Sequence, residues 1–167
     1  LGCNSKDEWK ELIPILNDAP LRHVTMHPRL GIEQYKKSVD VDAFAEFYAA
    51  CKHPVVYNGD LFTLADINSI EQLFPGLKGI MLGRGLLANP ALGIEYSEGR
   101  ELTNAEQSSL VRRMHDEMFR QLTPRLQGNT QFLGKMKPYW EYLLPAMYKR
   151  DKKAILKATT IEKYMNA

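Results

Sequence analysis

The chain has 167 residues, 44% of them hydrophobic, and its 22 basic and 20 acidic residues leave a net charge of +2. A core of ordinary size can be buried, in one domain or two, and so small a charge excess implies no nucleic-acid partner by itself. No apolar run approaches the length of a membrane span, and Cys3 and Cys51 form neither a CxxC pair nor a disulfide framework, so a reducing, cytoplasmic setting is expected.

Leu1-Gly2-Cys3 has the outline of a lipoprotein cleavage tail, but no charged or apolar leader precedes it. The missing initiating Met fits a fragment better than a complete protein. Residues 5–17 are expected to form a helix, with Ser5 and Glu8 at capping-box spacing, Trp9, Leu12, Ile13 and Leu16 on one face, and Pro14 distorting or dividing it. A strand over 22–26 ends at His27-Pro28-Arg29. A loop through Tyr35 and Asp40 then leads to a helix over about 42–51. The strand at 54–57 runs into Asn58-Gly59-Asp60, and Thr63 with Asp66 marks a helix reaching about Phe74. A third strand, 79–82, runs into Gly83-Arg84-Gly85. Strand starts recur at roughly 25–30 residues, the spacing of βαβ units in a parallel sheet.

The two glycine turns carry the chemistry. Glycine lets backbone N–H groups approach an anion closely, and Arg84 adds a planar charged fork suited to phosphate oxygens. Two neighbouring strand ends of this kind point to a phosphate-bearing ligand at the C-terminal rim of a parallel sheet, as in the last strands of (β/α)8 barrels. Asp60 can equally cap the following helix, and His27 can be an ordinary loop histidine. His23, His53 and His115 have no partner at metal-ligand spacing, so no metal is expected.

After Pro90 the pattern becomes helical. Thr103 and Glu106 open a helix to about Leu122 with a Leu110, Met114, Met118 and Leu122 stripe of core character; residues 131–143 and 151–165 follow as further helices. From Lys135 to Lys163 basic residues outnumber acidic ones, and Tyr139, Trp140, Tyr142 and Tyr148 interleave with them. That suits an RNA backbone with stacked bases, although a solvated face with packing aromatics has the same composition. The boundary is placed near 97, giving domains 1–97 and 98–167. A full barrel needs about 250 residues, so the α/β part is either a small open sheet or the end of a barrel.

The chain resembles the C-terminal half of a tRNA-dihydrouridine synthase. His27-Pro28-Arg29, Tyr35 and Val39-Asp40 are similar to the family's H-G-R-T…Y…A-D stretch after its sixth barrel strand. His53 to Asp60 resembles its seventh strand running into N-G-D, and Gly79-Ile80-Met81-Leu82-Gly83-Arg84-Gly85 with Asn89-Pro90 resembles its eighth. Lys135-Met136-Lys137 before Trp140 is like the basic, aromatic patch of its helical domain. The resemblance implies an α/β fold, a partial (β/α)8 TIM barrel with its last three strands and their helices, followed by an all-helical C-terminal domain. It implies FMN contacts from His27, Asn58, Gly59, Asp60, Gly83 and Arg84, with NADPH or NADH as reductant. It implies tRNA contacts from Arg29, Tyr35, Lys135, Lys137, Tyr139 and Trp140.

The family departs from this sequence at Pro28, usually Gly, and at Leu30-Gly31, Glu33-Gln34 and Lys37, all on the substrate-facing loop. The family's catalytic cysteine belongs to the first half of the barrel, and neither Cys3 nor Cys51 lies in a matching motif. The fragment is therefore expected to be inactive alone, to leave its first and third strands at the sheet edges, and to self-associate. The rival readings are a barrel enzyme acting on a small phosphorylated metabolite and a non-catalytic RNA-binding or interaction module.

Overall fold

A computed structural model describes residues 1–145, 147 and 149–167; Tyr148, expected above among the interleaved aromatics, lies outside the described residues. The chain divides into two compact units, Leu1–Gly83 and Arg84–Ala167. No helix among the described residues is long and apolar enough to cross a membrane.

The first unit contains β1 (Val24–Met26), β2 (Val55–Asn58) and β3 (Gly79–Met81), all parallel, in the order β1-β2-β3. The expected spacing is realised and β2 is central. Helix α1 (Trp9–Asp18) precedes β1 in sequence, α2 (Val41–Ala50) joins β1 to β2, and α3 (Leu64–Leu73) joins β2 to β3. Residues alternate across the sheet. Met26, Val55 and Tyr57 are buried, whereas Thr25 and Met81 are exposed and Val56 and Asn58 half-buried.

Aromatic rings from the helices cover the buried side. Phe44 meets Tyr57 edge-on at 4.8 Å and Phe74 at 4.9 Å, and Trp9 meets Phe47 at 5.4 Å. Each such pair adds about 0.5–1.5 kcal/mol beyond the area it buries.

Local chemistry sets the helix starts. Asp40 caps α2 by accepting from the Ala43 N–H at 2.9 Å, and Thr63 and Asp66 form a complete capping box on α3. Asp60 therefore does not cap that helix. Ser5 does not start α1; the Glu8 carboxylate instead accepts from the N–H groups of Cys3, Asn4 and Ser5 at 2.7–2.9 Å, and the helix begins at Trp9. Pro14 lies inside α1 without dividing it.

The second unit is helical throughout its described residues: α4 (Arg84–Ala88), α5 (Leu92–Glu98), α6 (Asn104–Leu122), α7 (Gly128–Tyr142), α8 (Lys149–Lys157) and α9 (Ile161–Met165). Its core joins Phe132, Leu133, Met136, Ile155, Ala158 and Tyr164, with Met118 and Leu122 of the expected stripe packed against them. The stretch expected as one helix from 151 to 165 is two. The break falls at Thr160, whose hydroxyl caps α9 by accepting from the Lys163 N–H at 3.1 Å.

The compact division at 83/84 precedes the expected boundary at 97, because residues 84–98 are bonded into the helical unit. The Leu144 N–H donates to the Ala88 carbonyl at 3.0 Å. The buried Glu95 carboxylate accepts from Asn89 at 2.7 Å, the Leu102 N–H at 2.9 Å and Gln107 at 3.0 Å.

Candidate functional site

The three strands end side by side, and hydrogen bonds tie those ends together. The His27 Nδ1 donates to the Asn58 carbonyl at 2.7 Å, and the Asn58 Nδ2 donates to the Met81 carbonyl at 3.2 Å. The first unit thus brings His27, Asn58, Gly59, Asp60 and Gly83 to one rim, as strand-turn-helix spacing requires. Arg84 follows Gly83 in the chain and opens α4.

The two glycines answer to different demands. A Cβ on Gly59 would stand 2.6 Å from the Tyr57 hydroxyl and 2.9 Å from its Cζ, so the turn closes directly over that ring. Burial first, then the Asp60 charge, pushes the Tyr57 phenol up to about 12, keeping it neutral at physiological pH. At Gly83 a Cβ would meet nothing within 4 Å. Its backbone flank is open to an incoming group, and packing does not require glycine there.

Arg29, expected to touch RNA, is placed differently. Its side chain is 2% exposed, and its guanidinium is paired with Asp60. It also donates from Nη1 to the Gln34 carbonyl at 3.2 Å and lies 5.5 Å from the Tyr35 ring. The Arg29 Nε is buried with no hydrogen-bond partner among the described residues, a cost of about 1–3 kcal/mol. Gln34, one of the departures on the substrate-facing loop, has φ 51°, unusual for a residue with a side chain. Tyr35 is 66% exposed.

The helical residues expected to bind RNA also separate. Lys135 and Tyr139 are exposed on α7. Lys137 instead donates to the Ala158 carbonyl at 2.9 Å, where α8 ends, and the Trp140 Nε1 donates to the Tyr164 hydroxyl at 2.8 Å within the helical core. The hydroxyl also lies 3.0 Å from the His115 Nε2. These ties form between residues 21–49 positions apart, so sequence spacing carries no signal of them.

Several known proteins are similar to this chain. It is 32% identical over 101 residues to the tRNA-dihydrouridine(16) synthase of Pseudomonas putida, a match covering 60% of this chain and 31% of that protein. It is 36% identical over 94 residues to the tRNA-dihydrouridine(20a/20b) synthase [NAD(P)+] of Saccharomyces cerevisiae, covering 54% of this chain and 25% of that one. Against the human tRNA-dihydrouridine(47) synthase [NAD(P)(+)]-like protein it is 34% identical over 104 residues, covering 60% and 16%. The matched stretch is thus about a third or less of each relative's length. The model of the family described as Dihydrouridine synthase matches residues 2–163, nearly the whole chain, and the chain belongs to the dihydrouridine synthase family.

Proposed function

We propose that this chain supplies the last three barrel strands and the helical domain of a flavin-dependent tRNA-dihydrouridine synthase, which reduces the C5–C6 bond of uridine in tRNA. The observation that carries the reading is the meeting of His27, Asn58, Gly59, Asp60 and Gly83 at one rim in a chain of this family. FMN fits these residues: Gly83 leaves open space for a phosphate beside its backbone, and Arg84 follows it as a charged donor.

Bound FMN would supply the redox chemistry, with NADPH or NADH as the reductant. The chain's own residues do the holding. Backbone N–H groups at Gly59 and Gly83, with the Arg84 fork, bind phosphate oxygens. Asp60 accepts from a ribityl hydroxyl while Arg29 holds its other side. His27, fixed by the Asn58 carbonyl, turns Nε2 toward the cofactor. Lys135 and Tyr139 hold the RNA backbone and a base. The proton that completes addition to uracil comes from a group on another part of the enzyme, so this chain alone forms no dihydrouridine. By itself it pairs with a second copy through its exposed strand edges, which sedimentation reads as a dimer.

The deciding experiment purifies the whole enzyme, records its flavin absorbance, and assays dihydrouridine in tRNA lacking that modification. A colourless protein that leaves uridine unchanged overturns the reading. A coloured protein that transforms a small phosphorylated metabolite instead supports the rival barrel enzyme.

A further inference from the structure

Arg29 stands between two parts of the rim. On one side its guanidinium pairs with Asp60, in the turn after β2. On the other it donates to the Gln34 carbonyl and lies under the Tyr35 ring, both in the loop after β1. The side chain is 2% exposed, so its contacts are with this chain's own groups. Tyr35, by contrast, is 66% exposed.

The arrangement is a poor device for stability. A buried ion pair contributes little net stability compared with an apolar pair of the same shape. The Arg29 Nε has no partner among the described residues, and Gln34 holds φ 51° and ψ −117°. Such costs gathered at one place point to a constraint other than folding.

Resting on the function proposed above, we infer that Arg29 is a positioning residue coupling the cofactor turn to the RNA-facing loop, so that FMN and tRNA each tighten the other's binding. The mechanism is shared ordering. FMN at the Gly59–Asp60 turn fixes the Asp60 carboxylate, and that carboxylate fixes the guanidinium. The guanidinium in turn fixes the Gln34 peptide and the Tyr35 ring. A ligand at either end removes freedom that the other would otherwise have to remove, and the coupling is reciprocal. Only arginine has the rigid fork to serve the carboxylate, the carbonyl and the ring together; lysine offers a single point charge.

The test measures the Kd of an unmodified tRNA transcript on the whole enzyme, with and without saturating FMN, for the native protein, Arg29→Met and Arg29→Lys. The native protein is expected to bind RNA about fivefold or more tighter with FMN. Both variants are expected to show less than a twofold change, with the Tm of Arg29→Lys within a few degrees of native and that of Arg29→Met lower, because it leaves the Asp60 carboxylate unpaired. Amide exchange over residues 30–37 should slow on FMN addition in the native protein only. Arg29→Lys keeps the buried charge paired and answers the question if Arg29→Met fails to fold.

A merely structural role would lower Tm and both affinities while preserving the ratio, and a preserved ratio in a folded variant overturns the inference. So does a native protein that binds both ligands with no ratio between them. A native protein that binds neither overturns the proposed function, and this inference with it.

Discussion

The His27 imidazole donates from Nδ1 to the Asn58 carbonyl at 2.7 Å, which fixes its tautomer, because a carbonyl can only accept. In the neutral ring Nε2 then carries a lone pair, and one hydrogen bond joins the ends of two adjacent strands. Replacing His27 by Ala removes that tie and the Nε2 acceptor together. The expected loss is about 0.5–1.5 kcal/mol of FMN affinity, up to roughly tenfold in Kd, read by flavin fluorescence titration of the whole enzyme. An unchanged Kd would place His27 outside the cofactor site.

Gly59 and Gly83 give opposite outcomes under the same substitution. Gly59→Ala drives a methyl to 2.6 Å from the hydroxyl of Tyr57, a ring held at 4.8 Å by Phe44, so the turn has to shift. Destabilisation of about 1–3 kcal/mol is expected, as for other overpacked sites. Gly83→Ala meets nothing within 4 Å and should leave the urea midpoint where it was, while weakening flavin retention by crowding the phosphate. Arg84→Ala should also release flavin, at about 1.5–3 kcal/mol for a charged hydrogen bond. Denaturation curves and flavin content separate the two glycine effects.

The start of α6 is sensitive to acid. Glu106 accepts from the Arg100 guanidinium, then from the Thr103 N–H and hydroxyl, and these hold its carboxyl at about 2 against an ordinary 4.5. Folding therefore favours the carboxylate. Its contribution is complete above 4.5 and is lost as pH falls toward 2. Carboxyl NMR should find Glu106 titrating in that low range, and Arg100→Ala should move the midpoint up, since Arg100 is the largest cause. A midpoint unmoved by Arg100→Ala would assign the shift to the capping box alone.

The α7 surface offers a sharper division of labour than its composition suggests. Lys135→Glu changes an exposed charge, so stability should hold within about 0.5 kcal/mol, while tRNA binding weakens and loses part of its salt dependence. Trp140→Phe removes the donor to the Tyr164 hydroxyl inside the helical core and should destabilise that unit by about 1–2 kcal/mol. Equal effects of both changes on RNA affinity would return Trp140 to the binding surface.

Much of this architecture is legible in the sequence because its signals are local. A short β-rich run, a glycine turn and an N-cap recur together, and Thr63 with Asp66 and Thr103 with Glu106 announce their helices within four residues. The short helix α5 is hidden because Pro90 and Gly93 interrupt any apolar period. The rim is legible because parallel strands bring their ends together whatever lies between them. What stays hidden is pairing at a distance. Arg29 and Asp60 are 31 residues apart, and neither shows in the sequence that each will occupy the other. An arginine beside a predicted binding loop is read as a contact by default, and only the fold shows it turned inward.

Glu95 gives the Asn89-Pro90 pair a meaning that a motif match alone does not. Asn89 donates its amide to a carboxylate that also receives the Leu102 N–H and Gln107, all within the helical unit. The Asn89 side chain therefore serves the architecture of the helical unit, and Asn89, Glu95 and Gln107 are expected to change together or not at all. A descendant that loses the carboxylate would be expected to replace both amides by apolar side chains, because each would otherwise be left without its acceptor.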